Sequence, residues 1–191
     1  MSTAEAYEFI IPAITAKERK VVKTILQLRD ITTDDVYKVL AHFAGISREN
    51  RDYATLFEFI GGCKVPHDSV TPDWISKIFE GIPDDQVHTL IDTWKTPEPL
   101  QWFIIIAHSG NASALKQFLA HPLAKQIDPK TVYATMINMV VKGEVFRAVA
   151  EVVPYSSCIY EILAENNNRY LEALFDAGFN PWEKVDGKTL E

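Results

Sequence analysis

The chain has 191 residues, of which 47% are hydrophobic and 24% charged, and its formal net charge is −7. This composition excludes a disordered chain, and the acidic balance argues against nucleic acid as a partner, because phosphate binding needs clustered Lys and Arg. No apolar run approaches the ~20 residues that span a bilayer, and the start MSTAEAYEF does not have the pattern of a signal peptide. We therefore expect a cytoplasmic protein without membrane insertion.

The N-terminal half predicts helices, because apolar residues recur there at spacings of three and four. Pro12 lies inside an apolar stretch, and we expect it to separate a short first helix from the next. Thr32 and Asp35 have the spacing of a capping box, which indicates a helix start. Pro72 has the position of a first helical residue. We expect helical hairpins throughout this half.

The C-terminal half predicts three helix pairs. Residues 100–109 (LQWFIIIAHS) are apolar nearly all round, which predicts an inner helix covered on several sides. The run from Phe103 to Ile106 has strand propensity, but roughly eleven residues between Pro99 and Gly110 favour a helix. After Gly110, an amphipathic run completes this pair. The other two pairs are predicted at 131–142 with 145–153, and at 157–165 with 169–176.

The junctions between these helices share a recurring pattern. Gly110 is followed by a polar residue and then by a helix with paired apolar positions. Residues 157–160 (SCIY) stand where ankyrin repeats have Thr-Pro-Leu-His, and residues 177–181 (AGFNP) where they have Ala-Gly-Ala-Asp-Pro. Residues 186–189 (DGKT) match the hairpin tip. The chain therefore resembles the ankyrin-repeat family, most clearly in residues 157–190.

The resemblance implies an all-α fold, a solenoid of stacked antiparallel helical hairpins in which each hairpin buries its apolar face on its neighbours. We expect one continuous solenoid with ankyrin-like repeats over residues 98–191. Residues 1–97 are expected to form less regular hairpins, either degenerate repeats, HEAT- or TPR-type hairpins, or a cap. Residues 188–190 look like the start of another helix, so we expect a fragment truncated at its C-terminus. Bulky residues at 100–109 and Asn166 depart from the family pattern.

A binding face is also implied by the resemblance, because hairpin tips and the residues before the mid-repeat glycine line a concave groove in this family. Trp182 is added because it lies in a loop beside Pro181, where it either caps the stack or anchors a partner. The predicted partner-binding residues are His108, Ser109, Val141, Lys142, Ala164, Glu165, Trp182, Val185, Asp186 and Lys188.

Motifs of catalysis do not occur in the sequence: there is no phosphate loop, GxSxG, HExxH or zinc-spaced Cys/His cluster. The five histidines fall in five different predicted segments, so we assign no metal site. The pairs Asp34-Asp35 and Asp84-Asp85 suit first turns of helices, where negative charge complements the helix dipole. Cys63 and Cys158 are expected to be buried thiols rather than a disulfide. We expect no enzyme activity and no cofactor.

These observations predict a monomeric protein-interaction module or scaffold that holds a partner protein in its groove. The alternative is an interaction domain of a larger multidomain protein, such as an enzyme or a bacterial or viral effector delivered to a host cytosol. A third reading, a hydrolase with an unfamiliar site, would require a deep pocket with convergent polar groups and shifted pKa values.

Overall fold

A computed structural model of the chain describes residues 6–63, 72–94, 98–139, 141–164 and 168–180. These residues form α-helices and short 3-10 turns, and none of them forms a strand. The prediction of an all-α fold is confirmed. The chain divides into two compact units, Met1–Pro97 and Glu98–Glu191, which we name the N-terminal unit and the C-terminal unit.

Six α-helices lie in the described part of the N-terminal unit. They are α1 (Tyr7–Thr15), α2 (Arg19–Leu28), α3 (Thr33–Gly45), α4 (Tyr53–Gly62), α5 (Pro72–Phe79) and α6 (Val87–Trp94), with 3-10 turns at Arg48–Asn50 and Asp84–Gln86. Helix α1 packs on α2 and on α3, α3 packs on α5, α2 packs on α4, and α4 packs on α6. Odd-numbered helices therefore follow one another in one layer, and even-numbered helices follow one another in a second layer.

Helix α3 begins at the predicted capping box. The backbone N–H of Asp35 donates to Oγ1 of Thr32 over 3.2 Å, and the Thr32 N–H donates to Oδ2 of Asp35 over 2.9 Å. The two reciprocal bonds satisfy backbone donors that the first helical turn leaves unpaired. Asp34 and Asp35 lie in the first turn of α3, as predicted.

The break after the first helix does not occur at Pro12, so that prediction is wrong. Pro12 lies inside α1, and the chain turns at Lys17, whose φ of 60° is left-handed. The Glu18 N–H closes the helix end by donating to the Ala13 carbonyl over 2.8 Å. Proline removes only one backbone donor, and the residue whose carbonyl would have accepted it, Glu8, is exposed to water. Local hydrogen bonding at the helix end therefore sets the break.

Six α-helices also lie in the described part of the C-terminal unit. They are α7 (Pro99–Ser109), α8 (Ala112–Ala120), α9 (Pro129–Met139), α10 (Gly143–Ala150), α11 (Ile159–Ala164) and α12 (Asn168–Asp176), with 3-10 turns at Ala124–Gln126 and Ser156–Cys158. Helix α7 packs on α8 and α9, α8 packs on α10, and α10 packs on α12. Helix α9 packs on the turn that leads into α11. Successive helix pairs thus pack on one another.

A column of aromatic rings runs through the core of the C-terminal unit. The ring of Phe146 lies 5.7 Å from that of Tyr133 and 4.4 Å from that of Tyr170, between centroids. All three side chains are at most 2% exposed. The hydroxyl of Tyr133 donates to the Val153 carbonyl over 2.9 Å, so its polar end is satisfied. The column joins α9, α10 and α12 into one packed core.

Buried aromatic residues on helices confirm one further prediction and add two core residues. The run from Phe103 to Ile106 is helical, and Phe103 is fully buried within α7. Trp94 and Trp102 are core residues, at 0% and 2% exposure. The side chain of Trp74 lies outside the described part of the chain.

Candidate partner-binding surfaces

In the C-terminal unit, short and longer connections between helices alternate along the chain. We group them as two edges of the unit. The short-loop edge, as we name it, contains the described residues of the short connections, 110–111 and 141–142, with the helix ends that adjoin them. The long-loop edge contains the connections at 121–128 and 151–158. Packing of α7 on α9 and of α8 on α10 places equivalent connections next to each other.

Lys142 lies against the turn at Gly110 on the short-loop edge. Gly110 ends α7 with a left-handed φ of 72°, and a β-carbon built on it would lie 3.3 Å from Nζ of Lys142. The ammonium group therefore meets the C-terminal end of α7, where the helix dipole is negative. In the next pair, a β-carbon on Gly143 would lie 3.7 Å from the Arg169 carbonyl oxygen. The first short loop thus adjoins the start of α10, and the second adjoins the start of α12.

The predicted binding residues on this edge differ in what they offer to a partner. His108, Lys142 and Ala164 are exposed. Val141 is only 8% exposed, so it offers a partner little surface. The remaining predicted residues lie outside the described part of the chain: Glu165, Trp182, Val185, Asp186 and Lys188.

Ser109 acts locally in the structure. Its hydroxyl donates to the Ile106 carbonyl over 2.6 Å and accepts from the Asn111 N–H over 3.2 Å. The Asn111 side chain in turn accepts from the Ala114 N–H over 3.1 Å and caps α8. The hydroxyl of Ser109 therefore already has a donor and an acceptor within its own turn.

An apolar hollow of about 370 Å³ lies on the long-loop edge. Its lining includes Leu119, Ala124 and Ile127 beside the first long loop, and Val152, Val153 and Pro154 in the second. Lys125 is the one charged residue among those that line it. Val152 is 49% exposed at this hollow. Apolar side chains around an open recess favour the insertion of an apolar side chain from a partner.

A second hollow of about 340 Å³ adjoins the first, and Ile127 lines both. Glu98 and Asp128 bring negative charge to it. One oxygen of Asp128, Oδ2, accepts from the Thr131 N–H over 3.1 Å at the start of α9. The long-loop edge therefore offers an apolar recess beside an acidic one.

The sequence did not point to these hollows, because it predicts a helix that continues to Val153. Helix α10 ends at Ala150 instead, and Val152 and Val153 lie in the following loop. Pro154 was the available signal, because the residue before a proline is disfavoured in a helix. An apolar pair directly before a proline indicates a loop with exposed apolar side chains.

The described residues contain no group of three or more His, Cys, Asp or Glu that could hold a metal ion. Both cysteines are free, and Cys158 is buried as predicted, whereas Cys63 is half-buried. Burial, together with the charge of Asp35, raises the pKa of the Cys63 thiol to about 12. The thiolate is the reactive form of cysteine, so this shift lowers the reactivity of Cys63 at neutral pH.

Comparison of the chain with protein-family models, with curated proteins and with solved structures finds no match. Along the described ranges, every helix is too short or too polar to cross a bilayer. The resemblance to ankyrin repeats therefore rests on the sequence pattern in residues 157–190.

Proposed function

We propose that this chain is a protein-interaction module, an ankyrin-like solenoid that binds a partner protein through its C-terminal unit. The observation that carries the proposal is the apolar hollow of about 370 Å³ between two successive long loops. Val152, 49% exposed at this hollow, leaves apolar surface in water that a partner would cover. Few, central apolar anchors supply most of the free energy of binding at protein interfaces.

Two features support the solenoid part of the proposal. Gly110 ends α7 and Gly143 begins α10, so both lie at the join within successive pairs, and their separation is one ankyrin repeat length, ~33 residues. The outer helices α8, α10 and α12 pack in sequence order, which is the packing of a repeat protein. One salt bridge joins Lys116 of α8 to Glu151, directly after α10, over 2.5 Å, and another joins Arg147 of α10 to Asp176 of α12 over 2.7 Å.

The two adjoining hollows suggest the chemistry of the partner. An apolar side chain enters the recess beside Val152, and a neighbouring Lys or Arg of the partner faces Glu98 and Asp128. Exposed residues of the short-loop edge, His108 and Lys142, add polar contacts at the other side of the unit. A partner segment with an apolar anchor next to a basic residue fits this arrangement.

Charge insertion into the hollow tests the proposal. In affinity capture from cells that express the protein, Val152→Glu is expected to lower recovery of the bound partner about tenfold or more, because a buried charge opposes docking. Ala134→Glu, on an exposed position of α9, is the matched control and should retain the partner. Equal recovery by both variants, with unchanged thermal melting, would contradict binding at the long-loop edge.

A further inference from the structure

Helix α2 is basic in a chain that is acidic as a whole. From Lys17 to Arg29 the sequence carries five basic residues and one acidic residue, in a chain of net charge −7. Among the residues of α2 only Val22 is buried, and Ile25 and Leu26 are half-buried. The helix therefore presents most of its surface to water.

The positive charges on this surface are not neutralised by described neighbours. Lys17, Arg19, Lys20 and Lys23 are exposed and make no ion pair with another described residue. Elsewhere in the described chain, basic side chains on helix surfaces do pair with carboxylates, as Lys38 does with Asp34 over 2.7 Å. An exposed basic face whose lysines form no ion pair with described carboxylates is complementary to an acidic partner.

Apolar surface lies beside the basic face. Leu28 is 76% exposed and Val21 is 45% exposed, and their spacing of seven residues puts them on one side of α2. Lys20 and Lys23, three residues apart, share a different side of the helix. A hollow of about 210 Å³ opens next to Leu28, between the end of α2 and Gly62. Arg29 and Asp30 line this hollow together with Leu26 and Leu28, so the surface combines charge with exposed apolar side chains.

The conformation of Lys17 is a second, independent observation. Three of the described residues have a positive φ: Lys17, Gly110 and Gly178. Lys17 is the one among them that is not glycine. At the end of a helix, glycine adopts this conformation without the steric cost that a β-carbon brings. Strained backbone conformations cluster at functional sites, which supports a binding role for Lys17.

We propose that the exposed face of α2 binds an acidic segment of a partner protein, with carboxylates over Lys17, Lys20 and Lys23 and an apolar side chain at Leu28. The hollow favours a peptide over a lipid surface, because the charged residues Arg29 and Asp30 in its lining disfavour an acyl chain and can bond a peptide. This surface belongs to the N-terminal unit and does not depend on the hollows of the C-terminal unit.

An array of synthetic peptides that differ in net charge and in the presence of one leucine tests the proposal, with the full chain as the labelled probe. Binding of the wild type should increase with negative charge and with leucine. Lys20→Glu combined with Lys23→Glu should lower the signal about tenfold, because both charge contacts become repulsive. The matched control is Lys130→Glu, which also reverses an exposed lysine at the second residue of a helix and should change the signal less than about twofold.

Two further variants separate the parts of the surface. Leu28→Ala should remove the preference for leucine and leave the charge dependence, and Lys17→Gly should weaken acidic binding about threefold while the melting temperature rises. Glutamate at position 20, in the first turn of α2, complements the helix dipole, and position 23 is exposed, so the charge reversals should fold. Equal binding of lysine-rich peptides, or an equal loss in Lys130→Glu, would overturn the proposal. Two other outcomes would also overturn the proposal if acidic peptides do not bind. One is sedimentation of the protein with phosphatidylserine vesicles, and the other is self-association that the α2 variants abolish.

Discussion

The backbone N–H of Tyr7 donates a 2.9 Å hydrogen bond to Oδ1 of Asp35, across 28 positions of the sequence. The other carboxylate oxygen, Oδ2, accepts from the N–H and the hydroxyl of Thr32. Asp35 is 4% exposed, so water contributes little to its solvation. One buried carboxylate thus joins the first turns of α1 and α3.

Replacing Asp35 by Asn should lower the free energy of unfolding by about 1–3 kcal/mol at neutral pH, because the amide group cannot accept the bonds that Oδ2 accepts. Urea unfolding followed by circular dichroism measures the change. Asp34→Asn is the matched control, since Asp34 is 63% exposed and its ion pair with Lys38 should contribute less than about 1 kcal/mol. Equal losses in the two variants would contradict the role assigned to Asp35.

The same carboxylate predicts a pH dependence. Burial raises the pKa of Asp35, but hydrogen bonds from Thr32 and Tyr7 and the charge of Lys38 outweigh burial, so the pKa lies below its usual value. A lowered folded-state pKa stabilises the protein above the unfolded-state pKa of about 3.9, and this stabilisation is lost as the pH falls through the folded-state pKa. The stability difference between wild type and Asp35→Asn should therefore be constant near neutral pH and shrink below about pH 4. Urea titrations at several acidic pH values measure it, and a difference that grows on acidification would contradict the assignment.

Lys17→Gly should raise the free energy of unfolding by about 0.5–1 kcal/mol. The left-handed conformation of Lys17 is strained for a residue with a β-carbon, and glycine removes this strain. The free energy gained in this way exceeds the cost of the extra conformational entropy that glycine gives the unfolded chain. Lys17→Ala keeps the β-carbon and should give no such gain. Thermal melting of the two variants distinguishes relief of strain from removal of charge.

Gly110 and Gly143 should respond in opposite ways to alanine. Gly110 has a φ of 72° and its β-carbon would approach Nζ of Lys142, so Gly110→Ala should lower the free energy of unfolding by about 1–2 kcal/mol. Gly143 begins α10, and a β-carbon there makes ordinary contacts of 3.7 and 3.8 Å with Arg169. Gly143→Ala should therefore be neutral or stabilising. Urea unfolding of both variants tests whether the two glycines serve different purposes.

Arg51 connects the ends of two helices through backbone carbonyls. Its guanidinium donates to Ala44 over 2.7 Å and Ile46 over 3.1 Å near the end of α3, and to Lys77 over 3.1 Å near the end of α5. Arg51→Lys should lower the free energy of unfolding by about 2 kcal/mol, because one ammonium cannot match three directions. Arg48→Ala is the control, since the exposed Arg48 pair with Glu80 should contribute less than about 1 kcal/mol. Similar melting temperatures for wild type and Arg51→Lys would contradict the prediction.

Helix positions and several helix ends were predictable from the sequence, because they depend on residues close together in the chain. The pair Thr32 and Asp35 forms the capping box that its spacing indicated. Gly178 ends α12 in the left-handed conformation that glycine favours, and the Phe179 N–H closes the turn on the Leu174 carbonyl over 2.9 Å. Pro12 shows the limit of local rules. Helix α1 continues past this proline and ends at Thr15, where the Glu18 N–H bonds the Ala13 carbonyl.

Contacts between distant residues were decided only by tertiary structure. Thr32 and Asp35 indicate a helix start, but the third partner, Tyr7, reaches the carboxylate only because α1 packs on α3. Arg51 and the hollow beside Val152 depend likewise on segments that packing brings together. The sequence by itself therefore determined the helices and their apolar faces, whose physics is local. The tertiary structure determined which loops adjoin and which side chains remain exposed, because burial of one helix depends on its neighbours.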